Sequence, residues 1–253
     1  MMSMNKLVIR SVLLPVLMSL GLMMTPTAWA AGGGDLMYFH KPDLDNKASL
    51  QRGFKYFVNY CSGCHSMNYV RYNRVAKDIG IPEELLQKNV MFGTDAVGET
   101  IELARSDEDA ADWFGAAPPD LSLKARSRGP DWIYSFMKTY YVDDTKPNGV
   151  NNATLSGTSM PFVLGHLGGW QKAVYEEDSQ GQKKITGFEM VKEGSMSADE
   201  YDQMLADLVN FMTYAAEPAK LVRYDLGRKV IYFLLVLVAL TWLLKREYWK
   251  DVH

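Results

Sequence analysis

Apolar residues recur at helical spacing in two well-separated parts of the chain, and a third part is apolar all round. Over residues 48–60, Leu50, Phe54, Phe57, Val58 and Cys61 share one stripe at i, i+4, i+7, i+8 and i+11, the signature of an amphipathic helix. A second helix is predicted to start after Ser197. Ser197-Ala198-Asp199-Glu200 is a capping-box pattern, in which the serine accepts from the N3 amide and the glutamate reaches back to the cap. Tyr201, Met204, Leu205, Leu208 and Met212 then follow at helical spacing, and Pro218 stops the turn. Met204 and Met212 belong to this core stripe. Between the two, residues 82–88 and 131–140 read as shorter helices, each with a proline or acidic start. Residues 170–176 and 183–189 read as a hairpin turning at 177–181. The expected fold class is all-α with insertions, one short β-hairpin among them.

The third part, residues 230–244, carries no charge and has no polar face. Fifteen helical residues rise only about 22 Å, short of a hydrocarbon core of about 30 Å. The flanks close the gap: Arg228 and Lys229 precede the run, Lys245 and Arg246 follow it, and their long stems can snorkel to the headgroups. Trp242, Tyr248 and Trp249 make an interfacial belt. A buried core helix would show a polar face, so a single C-terminal anchor is the better reading. At the other end, Lys6 and Arg10 precede a mostly apolar stretch broken by Pro15, and Ala28-Trp29-Ala30 offers a small-x-small cleavage site. The chain thus divides into a cleaved signal peptide (1–30), an exported domain (31–222), a transmembrane anchor (223–248) and a cytoplasmic tail (249–253). Export puts the globular part in the periplasm of a bacterial inner membrane. Lys245, Arg246 and Lys250 then face the cytoplasm, as the positive-inside rule prefers, although Arg223, Arg228 and Lys229 lie outside.

Charge changes the picture modestly. The whole chain carries −3. Without Lys6 and Arg10, and without the net positive stretch from Arg223 to His253, the exported domain carries about −8. That argues against nucleic acid and suits a basic soluble partner.

Candidate chemistry is concentrated in Cys61-Ser62-Gly63-Cys64-His65. Two thiols three positions apart can reach the two vinyl groups of one porphyrin, and the histidine after them can bind its iron as proximal ligand. These are the only two cysteines, too few for a structural zinc site of three or four thiolates. No second C-x-x-C-H is present, so one covalent haem c is the limit. An iron that only transfers electrons needs a sixth ligand. His166, in a glycine-rich stretch, is the imidazole candidate. Met160, in the turn-rich loop Gly157-Thr158-Ser159-Met160-Pro161, is the leading thioether, with Met190, Met196, Met91 or no ligand as the remaining choices.

A family resemblance narrows these choices. Arg52-Gly53-Phe54, Cys61-Ser62-Gly63-Cys64-His65-Ser66-Met67, Pro118-Pro119-Asp120-Leu121-Ser122, Met160-Pro161 and Ala215-Ala216-Glu217-Pro218 stand in this order before the anchor. Together they resemble the cytochrome c1 family, the haem subunit of ubiquinol:cytochrome c reductase (the cytochrome bc1 complex), in its proteobacterial form. The resemblance implies a c-type cytochrome fold, thioethers at Cys61 and Cys64, and axial ligands His65 and Met160. It places the stretch with Pro119 at the haem crevice, where a backbone carbonyl can orient His65. It sets Arg128 near a propionate, with Arg126 and Lys124 as competitors. Two departures concern peripheral contacts: Asn46 or Lys47 stands where the family often has a histidine, and Trp113-Phe114-Gly115 replaces a more polar approach to the proline pair. The implied role is electron carriage from the Rieske iron–sulfur protein to a soluble or anchored cytochrome c, beside cytochrome b in the membrane. The chain would be no enzyme on its own. Asp107, Glu108, Asp109 and Asp112 are a candidate docking patch for a basic acceptor. The rival readings are an anchored carrier outside any bc1 complex and a haem enzyme or gas sensor with an open iron site.

Overall fold

A computed structural model of the chain describes residues 36–103, 106–177 and 181–251. The signal-peptide reading of residues 1–30 falls outside the described residues. Helix α1 (Lys47–Tyr60) begins where the Asn46 side chain accepts the Ser49 N–H at 3.1 Å, and it buries Leu50, Gly53, Phe54, Phe57 and Val58, the expected stripe. Four short elements follow: strand β1 (Met67–Arg71), helices α2 (Tyr72–Ile79) and α3 (Glu83–Asn89), and strand β2 (Thr100–Ile101), which pairs antiparallel with β1. Next come α4 (Asp107–Phe114), α5 (Lys124–Arg128) and α6 (Pro130–Lys138). Strands β3 (Tyr140–Val142) and β4 (Val150–Asn152) pair antiparallel. After helix α7 (Gly165–Gly168), β5 (Trp170–Glu177) and β6 (Lys183–Lys192) form the expected hairpin. Its register sets Lys172 opposite Glu189, Glu176 opposite Lys184 and Glu177 opposite Lys183, three complementary pairs.

Helix α8 (Ala198–Ala216) starts with both halves of the capping box formed on Ser197 and Glu200. It is the centre of the core, with Met204 and Met212 buried on it as predicted. α1 crosses α8 in close contact. A Cβ on Gly53 would lie 2.0 Å from the Asp207 carbonyl oxygen, so only glycine lets the two backbones approach this far. Phe54 and Phe57 then meet Phe211 at ring separations of 4.9 and 5.7 Å. Beside the crossing, the Arg52 fork donates to both oxygens of the buried Asp207 carboxylate at 2.6 and 2.9 Å, and Ser49 donates to it at 2.6 Å. The segment before α1 is tied to the same helix, because His40 Nε2 lies 2.8 Å from Asn210 Oδ1 and the His40 ring stacks on Tyr134.

The fold is mainly helical, as expected, with two strand pairs beyond the predicted hairpin. Both are too short to leave a period-2 pattern. The helix expected over 131–140 stops earlier, at Lys138. Thr139 is fully buried with its hydroxyl bonded to Asn152 Oδ1 (3.2 Å) and Thr154 Oγ1 (2.9 Å), which turns the chain and makes Tyr140 the first residue of β3.

The last helix, α9 (Lys220–Tyr248), has 29 residues and buries none of them. At 1.5 Å per residue it extends about 43 Å, enough for a hydrocarbon core with both headgroup layers. It is long and apolar enough to cross a membrane and is the C-terminal membrane-anchor helix of the chain. Arg228 and Lys229 reach back one turn to Asp225 at 3.1 and 2.6 Å, directing their charges away from the apolar run.

Candidate haem site

α1 delivers the chain straight into the cysteine turn. The N–H of Cys64 and that of His65 both point to the Cys61 carbonyl, at 3.0 and 2.8 Å, so one more helical turn puts the two sulfurs on the same side. Neither cysteine is in a disulfide; Cys61 is buried and Cys64 half-buried. Burial, and then the neighbouring Cys64, push the Cys61 thiol up to about 12, so it has no tendency to ionise.

His65 is buried, and its Nδ1 lies 2.7 Å from the Pro119 carbonyl oxygen. A carbonyl can only accept, so Nδ1 carries the ring proton and Nε2 holds the lone pair that a metal needs. The 118–122 loop that supplies this carbonyl is stapled to the residues after the motif. Asp120 accepts the Asn68 N–H (2.8 Å), the Ser66 hydroxyl (3.0 Å) and the Ser122 N–H (2.8 Å), while Leu121 donates to the Ser66 carbonyl. Burial raises the Asp120 carboxyl, but those donors outweigh it and hold its pKa below the ordinary value.

Met160 is half-buried in the loop after Gly157, whose φ of 75° is a left-handed turn. Its carbonyl accepts the Tyr140 hydroxyl at 3.2 Å, and its N–H points to Thr158 Oγ1. Arg128 ends α5, exposed, with its guanidinium 5.3 Å over the Trp132 ring. The structure therefore brings Cys61, Cys64, His65 and Pro119 together directly. It keeps Met160 and Arg128 in two further clusters, joined by a run of rings from Trp132 through Phe136 and Tyr140 to Phe162, at 5.1, 5.2 and 4.9 Å. Of the other sixth-ligand choices, His166 is exposed beside Tyr60, Met190 is exposed on β6 and Met91 is buried in the core. Asp120 and Tyr140 are site residues that sequence reasoning missed. Asp120 had a local signal, an aspartate accepting its own chain two residues on; Tyr140 had none.

These residues fit a covalently held haem. Two thiols share one face of a turn, the next histidine is braced in the metal-binding tautomer, and a soft thioether sits in a fixed loop. A mainly helical domain with one such turn, carried on a membrane-anchor helix, defines a membrane-bound c-type cytochrome. The sequence profile of the Cytochrome C1 family matches residues 39–252, and the chain belongs to that family. It is 51% identical to cytochrome c1 of Allochromatium vinosum, over 92% of this chain and 96% of the relative. Cytochrome c1 of Rhodospirillum rubrum is 32% identical over 82% of this chain and 83% of its own. A Nitrosomonas europaea protein named ammonia monooxygenase gamma subunit is 40% identical over 92% and 97%. One chain of a hyperthermophilic respiratory Complex III aligns over 97% of this chain and 99% of its own, at a TM-score of 0.45 and 16% identity. Family membership makes the chain an electron carrier subunit of the cytochrome bc1 complex and implies covalent haem c.

Proposed function

We propose that Cys61 and Cys64 hold the haem through two thioethers and that His65 and Met160 are its axial ligands. The chain takes one electron from the Rieske iron–sulfur protein and hands it to a soluble or anchored cytochrome c. When bound, the haem supplies the one-electron exchange; the chain's residues set its potential, burial and docking. Pro119 fixes the tautomer and orientation of His65 and raises its basicity as a ligand. The Met160 thioether is a weak donor that favours reduced iron, so a His/Met pair gives a higher potential than His/His, and two protein ligands disfavour oxygen or peroxide chemistry. Arg128, with its plane held against Trp132, is the proposed propionate partner. The haem domain faces the periplasm, and α9 keeps it in the membrane beside cytochrome b.

The observation that carries this reading is the 2.7 Å contact between His65 Nδ1 and the Pro119 carbonyl, which prepares Nε2 for iron. Met160→Leu is expected to abolish the weak far-red band of the ferric haem and to lower the reduction potential. If both stay as in the wild type, the sixth ligand is another residue. Haem that remains on the denatured polypeptide in acidified acetone supports the thioethers. The name of the Nitrosomonas relative points to a different assembly, so partner choice needs its own test. Co-purification with cytochrome b and a Rieske protein is the expected outcome, and isolation without them favours a carrier outside the bc1 complex.

A further inference from the structure

The loop that presents Met160 is held from the side of β3 and β4. Asn152 and Asn151, both buried at the end of β4, wrap the turn that leads to it. Asn152 Oδ1 accepts the N–H groups of Thr154 (2.9 Å) and Leu155 (3.0 Å), and its amide donates to the Phe136 carbonyl at 2.6 Å. Asn151 Oδ1 accepts the Gly157 N–H at 2.9 Å. Beyond Gly157 the tether passes to one side chain, Tyr140, whose hydroxyl donates to the carbonyl of Met160 itself. The aim of that hydroxyl is fixed. Its ring is 1% exposed, stacked on Phe162 at 4.9 Å and met edge-on by Phe136 at 5.2 Å. Gln171 from β5 donates to the Tyr140 backbone carbonyl at 2.7 Å and to the Lys138 carbonyl at 3.0 Å, so the hairpin insertion braces the tyrosine from behind.

We propose that Tyr140 is a positioning residue for the axial thioether, its hydroxyl holding the Met160 carbonyl so that the sulfur stays at the iron. The proposal rests on Met160 being the sixth ligand. The physical reason lies in the weakness of a thioether as donor to ferric iron. A neutral sulfur on a free loop competes poorly with a small nitrogen ligand, so the loop's own stability decides how often the sixth position opens. One buried hydrogen bond is enough to matter, because losing it multiplies the open fraction by roughly three to ten. Phenylalanine would fill the same space between Phe136 and Phe162 without burying a hydroxyl; the hydroxyl earns its place by reaching Met160.

The test uses the full-length holoprotein, with the ferric far-red band, imidazole titration of the ferric haem, the reduction potential and the unfolding midpoint as readouts. Tyr140→Phe is expected to bind imidazole roughly three- to tenfold more tightly, and its far-red band is lost at correspondingly lower imidazole concentration. A merely structural tyrosine lowers the unfolding midpoint and leaves imidazole affinity at the wild-type value, and that result overturns the proposal. Should Tyr140→Phe yield no holoprotein, Thr158→Val removes the hydroxyl that bonds both Tyr140 and Met160. Wild-type imidazole affinity there overturns the proposal equally. Met160→Leu separates the two levels. If it keeps the far-red band, the ligand assignment fails and the proposal with it. If it loses the band while Tyr140→Phe and Thr158→Val bind imidazole like the wild type, only the positioning role fails.

Discussion

Replacing Gly53 by alanine sets two effects of opposite sign against each other. Gly53 lies inside α1, where alanine is intrinsically better by about 1 kcal/mol because it loses less backbone entropy. The crossing with α8 reverses that gain. The added Cβ would lie 2.0 Å from the Asp207 carbonyl oxygen and 2.7 Å from the Phe211 Cβ, against a normal carbon–oxygen approach of about 3.3 Å. Backbone on one side and a Cβ on the other cannot yield by rotamer change, so the helices must part by about 1 Å. A gap of that size forfeits a quarter to a half of each dispersion contact across the interface, where Phe54 and Phe57 meet Phe211. It also stretches the fork between Arg52 and Asp207. Overpacking of this kind costs about 3 kcal/mol at the upper end of its usual range, leaving a net loss of about 2 kcal/mol. For a domain of this size the melting temperature should fall by about 4–8 °C. Thermal unfolding of the detergent-purified holoprotein, followed by far-UV circular dichroism, measures it. An unchanged or raised midpoint would refute the close crossing, since helix propensity alone predicts stabilisation.

Asp120→Asn should weaken the staple between the 118–122 loop and the residues after the haem motif. The carboxylate is half-exposed, so the stability loss is near the low end for a charged acceptor, about 1 kcal/mol, and the loosened Pro119 carbonyl should shift the reduction potential; a redox titration with a melting curve checks both. Ser197→Ala removes the N-cap of α8 and should cost about 1 kcal/mol in a denaturant titration. The Ser197 N–H, and then its hydroxyl, hold the Glu200 carboxyl below its ordinary pKa. That contribution is complete above the ordinary value and is lost as pH falls through the lower folded value, so weakening the capping box in Ser197→Ala should flatten the acid limb of the stability profile. Asp107, Glu108, Asp109 and Asp112 are all exposed on α4, and neutralising them should lower the association rate with a basic cytochrome c and flatten its salt dependence; stopped-flow rates unchanged across ionic strengths would remove them from the interface.

The sequence by itself determined whatever depends on neighbours along the chain. The stripe of α1, the capping box of α8, the charge-paired hairpin and the apolar run of α9 are periodic or bounded by caps and turns within a few residues. The C-x-x-C-H turn is set by covalent spacing, and the ordered motifs carried the family. Tertiary structure decided what joins distant positions. His65 is braced by a carbonyl 54 residues away, Asp207 by an arginine at a separation of 155, and Met160 by a tyrosine 20 residues before it. The early end of α6 at Thr139 has the same origin, since a buried hydroxyl found partners in β4 and just beyond it, and this outweighed the helical pattern. Periodicity tells which face of an element is buried but not which residue it meets. Those partners are chosen by close packing and by the requirement that each buried polar group find a mate, and both exist only once the chain has folded.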